Sequence, residues 1–425
     1  MNRVARWALA VGSGLLLCSC TGPGDAADAD DGSTEQAELA GTLTTWFLDQ
    51  GSAPARAAIE AAADAFEAEH PAVTVGIEYV PWAEGRQRLA AAVTAGDAPD
   101  IAQTSTEWTV QLAEQGALAP GSPADGVEYV DSLLQPGAVD GTNFGYPWYG
   151  ATQALIYRSD VLSQAGVSPP ATWEEVFSAG DSIATELPEM APIQVGGAHL
   201  DLQAPLVWAA GGDIATQVAG TWQSGVDTPA GRDAFGHFES VWKKGWSPHE
   251  AVTWTSSDVR TAFAEGRAAM MIGTLADLRA ILSANPGIDG IVGTALLPEG
   301  PGGSRDAVVA GSHLVVLESS AQQEAAAAFV RHLSAPEQVV PVTEALGVLP
   351  GTRDAIEAAV GDDGILAAFG EQLVEHSRTY PATTWWQEVV AGGVFETATQ
   401  QLMHGQLTAS EAAAAVDSAI TSAIG

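Results

Sequence analysis

The chain has 425 residues and a formal charge of −37, with 53 acidic against 16 basic side chains. A surface this acidic repels nucleic acid and anionic lipid headgroups, and it works against a strongly anionic ligand. Both cysteines, Cys18 and Cys20, sit near the N-terminus, so the remainder offers no disulfide, thiolate metal site or thiol nucleophile.

Arg3 and Arg6 precede an apolar run, Trp7 to Leu17, that is too short to span a bilayer. The next residues, Leu17-Cys18-Ser19-Cys20, resemble the processing site of a bacterial lipoprotein signal. Ser19 is small enough to stand immediately before the modified cysteine, whereas Leu17 before Cys18 is not. Cys20 is therefore the expected lipidation site and residues 1–19 the signal peptide, with an ordinary secretory signal or membrane anchor as the alternative. Two acyl chains on one cysteine would hold the protein firmly to a membrane. Thr21 to Glu38 is rich in acids and lacks large apolar side chains, so residues 20–40 are expected to form a disordered acidic tether. No later stretch reads as a transmembrane helix.

Gly41 to Leu48 reads as a first strand. Ser52 can cap a helix over Ala53 to Glu69, with Pro54 in its first turn and Ala55, Ile59, Ala62 and Phe66 on one face. His70-Pro71 ends it. Val73, Val75, Ile77 and Tyr79 alternate as a second strand, followed by a helix from Glu84 to Ala95. A third strand begins at Pro99 to Ala102, and a helix follows over Thr106 to Gln115. This alternation implies an α/β lobe with a mostly parallel sheet, whose ligands sit beyond the carboxyl ends of the strands. Those ends carry Trp46 and Asp49, then Trp82, then Glu107 and Trp108.

From Asn143 to Arg158 the chain changes from an aromatic, turn-rich stretch to an apolar run, Ala154 to Tyr157. That switch suits a strand passing from one lobe to the other beside a cleft. Trp148 and Tyr149 are its candidate wall residues, and core packing is the competing role. Beyond it, Thr172 with Glu175 forms a capping box before a helix over Trp173 to Glu186. A helix containing Leu206 to Ala209 ends at Gly211-Gly212, just before Asp213. Ser256 to Asp258 can cap a helix bearing Val259, Ala262 and Phe263, and Met270 to Ile272 reads as a buried strand. Ala307 to Leu317 is a second passage, broken at Gly311-Ser312-His313; Ser320 caps a helix over Ala321 to Leu333; Leu346 to Pro350 is the third passage. Three crossings would make a hinge. The expected fold class is α/β: two α/β domains on a three-segment hinge, residues 41–150 with 310–346 as one lobe and 151–309 with 347–425 as the other.

Several blocks follow one another in the order of a known family. They include Phe66 to Val75 (F-E-A-E-H-P-A-V-T-V), Ala95 to Ile101 (A-G-D-A-P-D-I) and Glu114 to Leu118. Tyr157 to Leu162, Pro170 to Val176, Phe263 to Met270 and Thr408 to Ala412 continue the series. Together these resemble an extracellular solute-binding protein of the carbohydrate ABC-importer type, maltodextrin-binding proteins among them. The resemblance implies a bilobal periplasmic-binding-protein-like fold and no catalytic residue or cofactor. It also implies capture of a neutral sugar or oligosaccharide and delivery to ABC permease subunits, by a monomer anchored outside the cell membrane. Two positions depart from the pattern. Arg158 replaces the family's Asn after Tyr157, and Gly273 to Ala276 stands where a Trp is frequent, with Trp254 a nearby substitute.

A sugar presents hydroxyls and C–H ring faces, so aromatic rings and polar side chains must share its site. The ring candidates are Trp46, Trp82, Trp108, Trp148, Tyr149, Trp208, Trp254, Trp385 and Trp386. Trp385-Trp386 stands out, because adjacent indoles in a polar turn rarely both find core space, and the position matches an aromatic site of the family. Asp49, Glu107, Asp213 and His313 are the candidate hydrogen-bonders, although Asp213 could simply form a turn and His313 a core contact. Trp173, Trp222, Trp242 and Trp246 read as packing residues. The sequence has no G-x-S-x-G elbow, H-E-x-x-H or P-loop, and its eight histidines lack metal-ligand spacing. A polyol guest, or a cell-surface carbohydrate-active enzyme, is the alternative.

Overall fold

In the computed structural model, which describes residues 39–121, 127–198 and 202–425, the first elements follow the hydrophobic periodicity. They are β1 (Gly41–Asp49), α1 (Ala53–Glu69), β2 (Val73–Pro81), α2 (Trp82–Ala95), β3 (Ile101–Ser105) and α3 (Thr106–Glu114). The Ser52 hydroxyl accepts the amide of Ala55, and the face of α1 carrying Ile59, Ala62 and Phe66 is buried. β1 pairs in parallel with β2 on one side and β3 on the other. The signal peptide, Cys20 and all but the last two residues of the tether lie outside the described residues.

Two long strands, Tyr146–Arg158 and Ala307–Val316, lie side by side and antiparallel, with Val309 opposite Thr152 and Gly311 opposite Gly150. Each changes partners along its length. Ser312 to Val316 pairs with β3, while Ala307 and Val308 pair with Ser377 and Arg378. Gln153 to Tyr157 pairs with the strand Ala268–Thr274, whose other neighbour is Ala191–Ile193. Both strands therefore run out of one sheet half and into the other, which is the bilobal α/β architecture. The expected break at Gly311-Ser312-His313 is a register shift between Ser312 and His313 within an unbroken strand. Leu349–Pro350 pairs with Gly150 and Tyr149, beside the first long strand.

Each lobe has its own apolar core. One gathers Phe47, Phe66, Trp148, Phe329 and Leu333. The other gathers Trp208, Phe235, Phe238, Met270, Trp386 and Val416. A third, with Ala154, Ile156, Met271, Val309 and Phe369, packs around both long strands. That shared core couples the crossing strands through packing, the dominant favourable term in folding.

Three caps differ from expectation. Thr255, not the serines after it, caps the helix Ser256–Ala264 in a full capping box with Asp258. At Thr172 half of the box forms, because the Glu175 carboxylate accepts the amide of Ala171 instead. The helix expected from Ala321 begins at Gln323; the Ser320 oxygen accepts the amide of Gln322 at 3.0 Å while its hydroxyl donates to Asp100 at 2.6 Å. In the first two cases a hydrogen-bonding neighbour one residue away won the contact.

Candidate ligand-binding cleft

The two crossing strands form the floor of a cavity of about 260 Å³. Ala151 and Gln153 come from one strand, and Val308, Val309 and Ala310 from the other. Gln153 is paired in the ladder with Thr274, which also lines the cavity. One side is closed by Glu107, in the first turn of α3; the opposite side by Tyr380, Trp386 and Gln387. The site thus lies beyond the carboxyl end of β3, where an open α/β sheet holds its ligands. Ser105 donates its hydroxyl to the Glu107 carboxylate at 2.8 Å, fixing that side chain at the wall.

A second cavity, about 310 Å³, adjoins the first and shares Tyr380 with it. Gln135 and Pro136 form one wall, on a turn packed against α3. Trp208, Asp213, Trp222 and Arg378 line the rest. Here the Arg378 guanidinium donates to Asp213 at 2.7 Å and lies 4.8 Å from the centre of the Trp208 ring. The Trp208 indole N–H donates to the other Asp213 oxygen at 3.2 Å. Asp213 is therefore neither a bare turn residue nor a free acceptor: it anchors an arginine and an indole into one rigid wall.

Four of the expected site residues thus line the cavities: Glu107 and Trp386 in the first, Trp208 and Asp213 in the second. Trp385 and Trp386 are not in a loose turn. Thr383 caps a helix, Thr384–Ala391, that draws both rings inward, to 8% and 2% exposure. Trp386 reaches the cavity from beneath Tyr380, against which it stacks at 4.6 Å, and Trp385 sets its ring edge-on to Trp222. The expectation that two adjacent indoles would not both be buried fails because a short capped helix sends them to two sides of one core.

The remaining candidates lie elsewhere. His313 is fully buried, with Nε2 at 2.7 Å from the Leu133 carbonyl and Nδ1 at 2.9 Å from the Thr109 hydroxyl. Since a carbonyl can only accept, Nε2 carries the proton, and both ring nitrogens are spent within the protein. Burial pushes its pKa down to about 4. Trp148 belongs to the core: its indole N–H donates to the Leu333 carbonyl at 3.2 Å and its ring meets Phe47. The buried Tyr149 hydroxyl receives Gln103 at 2.7 Å and Gln50 at 3.2 Å, and burial raises its pKa. Asp49 is held by Arg56, whose guanidinium keeps the carboxyl below its usual range. Trp46 lies under Arg88, Trp82 tilts onto Trp108, and Trp254 packs with Arg267; none of these lines either cavity.

Sequence reading missed Tyr380, Gln153, Thr274 and Gln387, and it assigned Trp222 to packing alone. Tyr380 had a signal, since it stands just before the Trp385-Trp386 pair. The Gln153–Thr274 pairing had none, because it depends on a ladder between strands far apart in sequence. Among the described residues there is no cluster of His, Cys, Asp and Glu that could hold a metal, and no helix long and apolar enough to cross a membrane.

A bilobal α/β protein with an aromatic and polar cleft at its crossing strands is a solute receptor in form. The sequence pattern of the bacterial extracellular solute-binding proteins matches residues 50–340, and the chain belongs to that family. Diacetylchitobiose binding protein DasA of Streptomyces coelicolor is 26% identical over 355 residues, spanning 81% of this chain and 80% of that protein. Among solved structures, the sugar-binding protein MalE from Xanthomonas citri aligns with a TM-score of 0.80 at 24% identity, over 90% of this chain and 97% of that one. The cyclic α-maltosyl-1,6-maltose binding protein from Arthrobacter globiformis aligns with a TM-score of 0.77 at 24% identity, over 91% and 99% of the two chains.

Proposed function

We propose that this protein is the receptor of a carbohydrate ABC importer, binding a neutral sugar or oligosaccharide between its lobes and handing it to membrane permease subunits. The observation that carries the reading is the make-up of the two neighbouring cavities. Trp386, Tyr380, Trp208 and Trp222 supply ring faces, while Gln153, Thr274 and Gln387 supply neutral hydrogen-bonding groups. Flat rings cover the C–H faces of a sugar, and amides, hydroxyls and a carboxylate take its hydroxyls. The likeness to proteins named for diacetylchitobiose and for maltose-type sugars supports the same class of guest. We take residues 41–150 with 310–346, and 151–309 with 347–425, as the lobes that close on it.

A panel of neutral mono- and oligosaccharides read by thermal shift tests the proposal. A specific ligand at a hundred times its Kd stabilises the folded state by about 2.7 kcal/mol. The panel should contain at least one sugar that raises the melting temperature without being consumed. Release of reducing sugar would point to a hydrolase, and a panel with no stabilising member would reject the carbohydrate assignment. Lipid anchoring through Cys20 belongs to the same proposal. Cys20→Ser should move the protein from the membrane fraction to the soluble fraction in a fractionation of the producing cells; an unchanged distribution would exclude that anchor.

A further inference from the structure

We propose a second binding site, at the opposite end of the strand Ala268–Thr274 from the cleft, that takes an amino acid with an apolar side chain. It is independent of the carbohydrate reading above.

Position separates it from the cleft. The strand ends at Thr274 in the first cavity and starts beside Arg267, which lines another cavity of about 460 Å³. The strand's 7 residues hold the two about 20 Å apart. The volume lies inside the roughly 300–1,000 Å³ common for ligand sites.

The charges of the lining suit a zwitterion. Lys244 and Arg267 both line it, in a chain with 16 basic against 53 acidic side chains. Their partners, Asp181 at 2.5 Å and Glu265 at 2.7 Å, lie outside the lining. The two cationic side chains are 36% and 46% exposed, and exposed ion pairs are weak, so a guest carboxylate can draw both over. The exposed Glu189 is the acid among the described lining residues. Gln194 also lines the cavity; it is 5% exposed, and its Oε1 accepts no hydrogen bond among the described residues. A buried acceptor without a donor is costly. A guest ammonium supplies that donor, with Glu189 as its counter-charge. A guest with a carboxylate alone would leave the Gln194 oxygen bare and meet Glu189, and one with an ammonium alone would face Lys244 and Arg267. A zwitterion has no net charge, so the −37 of the whole chain does not oppose it.

The apolar wall is built in. Trp246 stacks on Phe177 at 5.8 Å, in space that Gly180 leaves open: a Cβ there would meet the indole at 2.3 Å. With Met190, this fixed ring gives the guest's side chain an apolar surface.

Isothermal titration of the full chain with L-phenylalanine and L-leucine tests the site, beside the N-acetyl form of each, which lacks the ammonium, and the amide form, which lacks the carboxylate. The amino acid that binds should bind at least fivefold tighter than either of its blocked forms, a comparison that needs no variant. Lys244→Gln combined with Arg267→Gln should weaken it at least tenfold and leave the affinity for a cleft sugar unchanged. Glu189→Gln should also weaken it. No binding by either amino acid, a blocked form that binds as tightly, or an affinity that the double variant leaves unchanged overturns the site. None of these results touches the carbohydrate reading, which stands or falls on the sugar panel.

Discussion

His313 shows how one side chain can set a pH limit without touching ligand. Its ring is neutral in the fold, enclosed between Thr109 and the Leu133 carbonyl, neither of which titrates near neutrality. The folded pKa is about 4 against an ordinary imidazole value of 6.5. Below pH 6.5 the unfolded chain therefore binds a proton that the folded protein refuses. Stability from this group is complete above pH 6.5 and is lost as pH falls toward 4. The wild-type protein should lose about 2–3 kcal/mol more than His313→Gln between pH 7 and pH 4.5, measured by urea unfolding. Equal losses would show that the ring protonates as freely in the fold as outside it. No sequence pattern around Gly311-Ser312-His313 distinguishes this buried, doubly bonded ring from a ligand contact, because its partners come from α3 and from the short helix Asp131–Leu134.

At the scale of elements, the glycines beside that histidine carry a testable constraint. A Cβ on Gly145 would meet His313 Nδ1 at 2.4 Å and the Thr109 side chain at 3.0 Å, and neither neighbour can withdraw, since each is hydrogen-bonded in place. Gly145→Ala should destabilise the protein by about 1–3 kcal/mol, the usual cost of overpacking a filled interior; a melting temperature equal to wild type would contradict the packing described. The elements that could be read ahead were those with local causes. α1 needed Ser52, Pro54 and an apolar stripe, and it formed from Ala53 to Glu69. The Trp385-Trp386 segment was misread because its fate depended on Thr383 acting as a cap, a local cue that the paired indoles obscured.

For the whole molecule, we propose that the lobes close on a guest about the cleft floor formed by the crossing strands. On that proposal, a guest touching both Glu107 and Trp386 would bind a closed form better than an open one and so shift the population toward closure. Small-angle scattering should record a smaller radius of gyration with a saturating sugar than without. A ligand that stabilises the fold thermally but leaves the scattering curve unchanged would mean that binding does not draw the lobes together.

The sequence by itself determined the alternating helices and strands, the exclusion of thiol chemistry beyond Cys20, and the family, because these follow from periodicity, composition and the order of local blocks. It also put forward Glu107, Trp386, Trp208 and Asp213, which line the two cavities. Only the tertiary structure decided which of the many aromatic rings face that cleft. Trp148 and Tyr149 turned inward, Trp46 lay under Arg88, and Tyr380 and Trp222 joined the walls. The physical reason is that an indole gains from burial almost anywhere. Its final place is set by which distant residue leaves room or offers a hydrogen bond, and no local pattern records that.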